Sequence, residues 1–269
     1  MKRRNFLVTA SLSAALTLGF ATACTSPDAT TSADTADAEV KVLVLGTSAD
    51  YPPYEFYDTA SGGEEAIGFD IDIAKALTAK LGYTLEIEDM DFNGLIPALQ
   101  AERVDFVMAG MTPTDERKQS VDFTQTYYDA QNTIVSNAGA GFATYEDLAG
   151  KTVGVQLGSI QEGEAQEKAE TVAGMVIEPR NKISELIQEI KAGRLDAAIV
   201  EDTVAKGYIQ NNPDLEFTTV PGEGDSGSAI AFPKGSPLTA EFDQALTELK
   251  ESGELDGMIT IWFEDFYNK

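Results

Sequence analysis

Histidine is absent from the 269 residues, and cysteine occurs once, as Cys24. Those shortages remove Ser-His-Asp and Cys-His nucleophile chemistry, Cys and His zinc sites, and any disulfide within the chain. A hydrolase or metalloenzyme would have to run on carboxylates alone, so neither a cofactor nor a metal is expected. Cations are scarce too: 19 Lys and Arg face 45 Asp and Glu, for a net charge of -26. Such a field repels phosphate backbones and acidic headgroups, which argues against a nucleic-acid partner.

What is present suits two compact lobes, since 269 residues at 43% hydrophobic content can fill two cores. The N-terminus reads as an address. Lys2, Arg3 and Arg4 precede an apolar run at residues 6–20, shorter than the roughly 20 residues that span a bilayer. Residues 1–23 therefore read as an export signal, and RRNFL looks like a twin-arginine signal. At ATAC two routes compete: cleavage after Ala23, or a lipoprotein box in which Cys24 carries the lipid. The second is favoured, because residues 24–39, rich in Ser, Thr, Ala and Asp, would form the leash that an anchored protein needs.

From Val40 strands and helices alternate. VKVLVLG is a buried strand, DIDIAKALTAKLG places Ile73, Leu77 and Leu81 on one helix face before Gly82, and YTLEIED alternates as a strand. NGLIPALQAER reads as a helix opened by Asn93, and VDFVMAG as another strand. The pattern then restarts with YEDLAG, KTVGVQLGS, a helix carrying Ile183, Leu186, Ile187 and Ile190, and the strand LDAAIVE. The fold class is α/β with a largely parallel sheet in each lobe. Helices bearing Leu238, Phe242, Leu246 and Leu249, then Leu255, Ile259 and Trp262, are expected to pack back on the first lobe.

Ligands of such sheets sit beyond the carboxyl ends of strands, and four of those ends carry aromatic or polar groups. The loops GTSADYPPYEF, GFDIDIAKAL, FNGLIPALQ, GMTPTDERKQSVDFT, GKTVGVQLGS and AAIVEDTVAKGY, in that order, resemble the substrate-binding proteins of polar amino-acid ABC transporters, over nearly all of the mature chain. The resemblance implies a two-lobed periplasmic-binding-protein-like fold of type II, with lobe 1 at residues 40–130 and 232–269 and lobe 2 at 131–231. Hinges fall near residues 129–135 and 227–231. It implies that Arg117 forks onto a ligand carboxylate, that Thr112 and the Gly110 carbonyl, with Met111 between them, lie on the first-lobe side, and that backbone N–H groups of Ser159 and Ile160 meet the carboxylate. Glu201, or Asp202 beside it, would pair with the ammonium. Tyr51 and Phe92 would sandwich the side chain.

The implied protein is a monomer that closes on a free amino acid and delivers it to a permease and its ATPase from the periplasm or the outer face of the membrane, where a lipid on Cys24 would hold it. Side-chain selectivity is expected around Ser48, Asp50, Tyr51 and Phe92, and an acid there favours a basic or amide ligand. Two other readings share the fold: a cyclohexadienyl dehydratase using Glu201 or Glu55 as general acid, and a sensory amino-acid-binding protein.

Overall fold

The computed structural model describes residues 40–58, 62–220 and 227–266. The export signal, the leash and Cys24 lie outside the described residues. Two five-stranded sheets organise the chain, and the described residues form one compact unit.

The first sheet begins at β1 (Val42–Thr47), whose Leu43 and Leu45 point into the core. A small sheet follows from β2 (Asp50–Tyr51), β3 (Glu55–Tyr57) and β4 (Ala66–Ile67). α1 (Phe69–Leu81) buries Phe69, Ile73 and Leu77 on one face and stops at Gly82, a left-handed C-cap. Next come β5 (Thr84–Asp89), α2 (Leu95–Gln100) and the short β6 (Phe106–Val107). α3 (Asp115–Ser120) and β7 (Val121–Tyr128) complete this half. Asn93 does not open α2: a 3-10 turn over Phe92–Gly94 comes first, and Gly94 holds the N-cap.

The second sheet is built from β8 (Asn132–Asn137), β9 (Thr152–Gln156), β10 (Val176–Arg180), β11 (Ala197–Glu201) and β12 (Leu215–Thr219). Its helices are α4 (Ile160–Ala169), α5 (Ile183–Lys191) and α6 (Asp202–Gln210). The predicted face of α5 is the buried one, with Ile183, Leu186, Ile187 and Ile190 all inside. The chain then returns through β13 (Ser228–Pro233) to the first sheet and ends in α7 (Leu238–Glu251) and α8 (Glu254–Ile259). Both helices pack against α1, as the sequence implied.

Each sheet has a parallel core and an antiparallel flank. Strand order is β5-β1-β6-β13-β7 in the first and β10-β9-β11-β8-β12 in the second. β1 is parallel to β5 and β6, while β13 runs against β6 and β7; β9 is parallel to β10 and β11, while β8 runs against β11 and β12. The antiparallel flanks are the strands that lead into and out of the crossings. β8 lies wholly in the second sheet and β13 wholly in the first, so of residues 129–135 only 129–131 lie between the sheets, and residue 231 falls inside β13.

Candidate functional site

Segments at the carboxyl ends of β1, β6, β9 and β11 line one narrow cavity. Its wall contains Tyr51, Phe92, Gly110, Thr112, Arg117, Ser159, Ile160 and Glu201 from the sequence reading, and Ala109, Gln156 and Gln161, which that reading missed. Met111 is the exception. Its side chain is buried in the cluster of Phe92, Leu95, Leu99 and Val121, while its neighbours Gly110 and Thr112 line the cavity.

Arg117 sits in the first turn of α3, which Thr114 caps by accepting the Arg117 backbone N–H at 3.2 Å. Thr112 is thereby left out of the cap. The guanidinium donates to the Thr112 carbonyl at 2.8 Å and to the Gly158 carbonyl, across the cleft, at 2.9 Å. It lies 5.4 Å from the Phe92 ring centroid, within cation–π range. Burial lowers its pKa to about 10, so it stays charged at neutral pH. A guanidinium has five N–H donors, and Arg117 therefore keeps donors for an anion.

Two glycines allow the close approaches here. Gly110 has φ +56, and a Cβ on it would stand 2.9 Å from the Tyr51 ring. Gly158 has φ +79, and a Cβ would meet Asn93 at 3.1 Å. Ser159 caps α4 by accepting the Glu162 N–H at 3.1 Å, while its own N–H donates to the Gln156 carbonyl. The donors of that turn left to face an anion are thus Ile160 and Gln161, rather than Ser159 and Ile160.

Opposite Arg117 stands Glu201, the last residue of β11, with 6% of its surface exposed. Burial pushes its pKa up to about 8, against hydrogen bonds from the Tyr54 and Tyr51 hydroxyls that favour the charged form. Its Oε2 is buried without a hydrogen-bond partner. Asp202 instead turns to the chain, receiving the Gln131 and Thr203 N–H groups.

Behind Tyr51 lies a second acidic group that the sequence did not single out as a pair. Glu55 is 0% exposed, accepts no hydrogen bond, and lies within reach of Asp70, to which its protonated carboxyl can donate. Burial and then the nearby charge of Asp70 hold its pKa well above the carboxylate range. Asp70 accepts the Gly110 N–H at 2.9 Å and the Tyr127 hydroxyl at 2.7 Å on Oδ2, while burial raises its pKa to about 6. Asp50, expected near the ligand side chain, is not in the cavity wall. It faces the start of α5, accepting the Ser184 N–H at 3.4 Å. Tyr51 stacks on Tyr54, with centroids 5.5 Å apart. Among the described residues no cluster suited to a metal ion is found.

Residues 43–265 match the family model of the bacterial extracellular solute-binding proteins, family 3. The chain is similar to the arginine-binding extracellular protein ArtP of Bacillus subtilis (strain 168), with 50% identity over 225 residues, 83% of this chain and 86% of that one. Among solved structures it resembles the substrate binding protein of an amino acid ABC transporter, with a TM-score of 0.78 and 45% identity over 83% of this chain and 99% of the other. It also resembles an ancestral arginine-binding protein bound to arginine, with a TM-score of 0.78 and 40% identity over 82% and 98% of the two chains. The α/β periplasmic-binding-protein-like fold expected from the sequence is the fold of these relatives.

Proposed function

The chain belongs to the bacterial extracellular solute-binding proteins, family 3, the substrate-binding type of amino-acid ABC transporters, and we propose that its ligand is arginine. The observation that carries this reading is the charge balance of the cleft. Arg117 and Glu201 are the charged side chains of the cavity wall, and the buried acids Glu55 and Asp70 lie outside that wall, next to each other and, for Glu55, near Tyr51. Burial holds Glu201 and Glu55 towards the protonated form, and an arriving cation would favour their ionisation. Arginine brings a carboxylate for Arg117 and an ammonium for Glu201, and its guanidinium adds a second cation for the buried acids beyond the wall, which a neutral or acidic amino acid lacks.

In this reading the ligand carboxylate bonds Arg117 and the first-turn amides of α4. The ammonium pairs with Glu201 and the Gly110 carbonyl, and the guanidinium runs between Tyr51 and Phe92 toward Ser48 and Glu55. Contacts to both sheet bodies, which act as lobes, favour the closed form. Nothing in this scheme alters the ligand, so the protein is a carrier and not an enzyme. Its partners would be a permease with its ATPase, reached from outside the cytoplasmic membrane, with Cys24 as the lipid anchor. The names of ArtP and of the ancestral arginine-binding protein support the ligand.

A thermal-shift screen of all amino acids, with ornithine and citrulline, tests this. Arginine at 100 times its dissociation constant should add about 2.7 kcal/mol of stability, and a response to glutamate alone would refute the reading. A carboxyl that keeps its proton at neutral pH, as Glu201 does, also suits a general acid. Disappearance of arogenate or prephenate on incubation would favour the dehydratase instead.

A further inference from the structure

Gln161 lines the cavity from the first turn of α4, and its amide is not free to turn. Its Nε2 donates to Asn132 Oδ1 at 2.9 Å, in a buried bond. Asn132 Nδ2 in turn donates to Glu164 Oε2, and Glu164 Oε1 receives the Tyr145 hydroxyl at 3.0 Å. Gln161 and Glu164 stand three apart on one face of α4, with the Asn132 amide between them. In the register of β8 with β11, Asn132 is paired directly with Glu201.

The direction of every bond in this chain follows from one end. A carboxylate only accepts, so Asn132 must turn its NH₂ to Glu164 and its oxygen to Gln161. Gln161 must then donate to that oxygen, which leaves its own carbonyl as the acceptor for the cavity. We propose that Glu164, acting through Asn132, is a positioning residue that fixes Gln161 with its amide oxygen toward the ligand, as a second acceptor for the cation bound at Glu201. The proposal rests on the arginine reading, in which that cation is the α-ammonium. All four residues of the chain belong to the second sheet and the helix and 3-10 turn beside it. The arrangement therefore does not depend on closure.

Glu164→Gln keeps the shape and abolishes the acceptor-only end, so both amides can turn over. Calorimetric titration with arginine and with 5-guanidinopentanoate, which lacks the ammonium, separates the effects. Arginine should bind about tenfold more weakly to the variant, 5-guanidinopentanoate should be nearly unchanged, and the difference should persist at high salt, where a mere charge effect is screened. Tyr145→Phe, which keeps the ring but loosens Glu164, should move the same way by less. In spectra of the protein without ligand, the carboxamide protons of Asn132 and Gln161 should exchange slowly in the wild type and quickly in Glu164→Gln. Equal weakening of both ligands, or fast exchange in the wild type, would overturn the proposal. If the wild type binds no arginine, the ligand assignment fails by itself, and carboxamide exchange alone decides the relay.

Discussion

Arg117 donates to carbonyl oxygens on both sides of the cleft while its guanidinium stands over the Phe92 ring, a combination that suits a planar fork and not an ammonium. Arg117→Lys should therefore weaken arginine binding by about 1.5–3 kcal/mol, roughly ten- to a hundredfold by calorimetry. The fold should persist, because the cap of α3 uses the backbone of residue 117. Glu201 gives a pH signature. Its pKa rises from 4.5 to about 8 on burial, so its protonated form stabilises the folded protein at low pH, and that contribution is lost as pH rises from about 4.5 through about 8. A ligand ammonium pairs only with the ionised form, so the sign for binding is reversed. Arginine affinity should climb up to about tenfold per pH unit below 8, with proton release on binding, and Glu201→Gln should flatten the profile. Asp70, at about 6, adds a smaller step below that. Arg117 was legible because a lone arginine after two hydroxyl residues stands out in an acidic chain. Gln156 and Gln161 were not, since a glutamine at a strand end or in a first helical turn has no mark of its own.

α5 carries at its N-cap a lysine, Lys182, whose side chain has no acceptor to offer. Part of the missing cap comes from the other sheet body: Asp50 accepts from Ser184, and hydrogen bonds from Ile183 and Ser184 oppose the burial that raises its pKa. Tyr208 holds the Asp50 carbonyl from the same side at 2.7 Å. Losing an N-cap typically costs about 1 kcal/mol. Asp50→Ala should therefore weaken arginine close to fivefold, although Asp50 is outside the cavity wall; an unchanged dissociation constant would show that the contact does not favour closure. Periodicity made the helices readable, as with the four isoleucine and leucine positions of α5. It did not reveal that Asp50 serves a helix more than 130 residues away in sequence, because a cap supplied across a cleft leaves no local pattern. Nor did it reveal the antiparallel flank of each sheet: β13, SAIAFP, is an apolar run of the kind that parallel strands also show, and β8, NTIVSN, carries only two apolar residues and no mark of its direction.

The two sheet bodies meet through several polar contacts besides Arg117. Asn181 donates to Asp91 at 2.9 Å, Lys182 lies 3.9 Å from the same carboxylate, and Lys206 reaches the Phe263 carbonyl at 3.4 Å. Phe263 itself stacks on Tyr128 at 4.2 Å, next to the crossing at residues 129–131. Each exposed ion pair contributes little alone, yet together they bias one equilibrium. A protein carrying both Asp50→Ala and Asp91→Ala should show a larger radius of gyration than the wild type in solution scattering without ligand, and saturating arginine should return it to the wild-type value. Equal radii without ligand would mean that these contacts do not set the closed population. At this scale the sequence showed two α/β units and a C-terminal return, but not where the crossings begin. Strand pairing decides that, and pairing partners far apart in the chain leave no signal in either segment.

The most direct test of the account is a calorimetric titration of the wild-type protein with arginine, lysine, histidine, glutamine and glutamate at one pH near neutrality. The charges of Arg117, Glu201, Glu55 and Asp70 favour the cationic amino acids over glutamine, with glutamate weakest, and the arginine assignment adds that arginine binds at a single site more tightly than the other four. Tighter binding of glutamate, or of glutamine over arginine, would contradict the assignment of the buried acids to a cationic ligand.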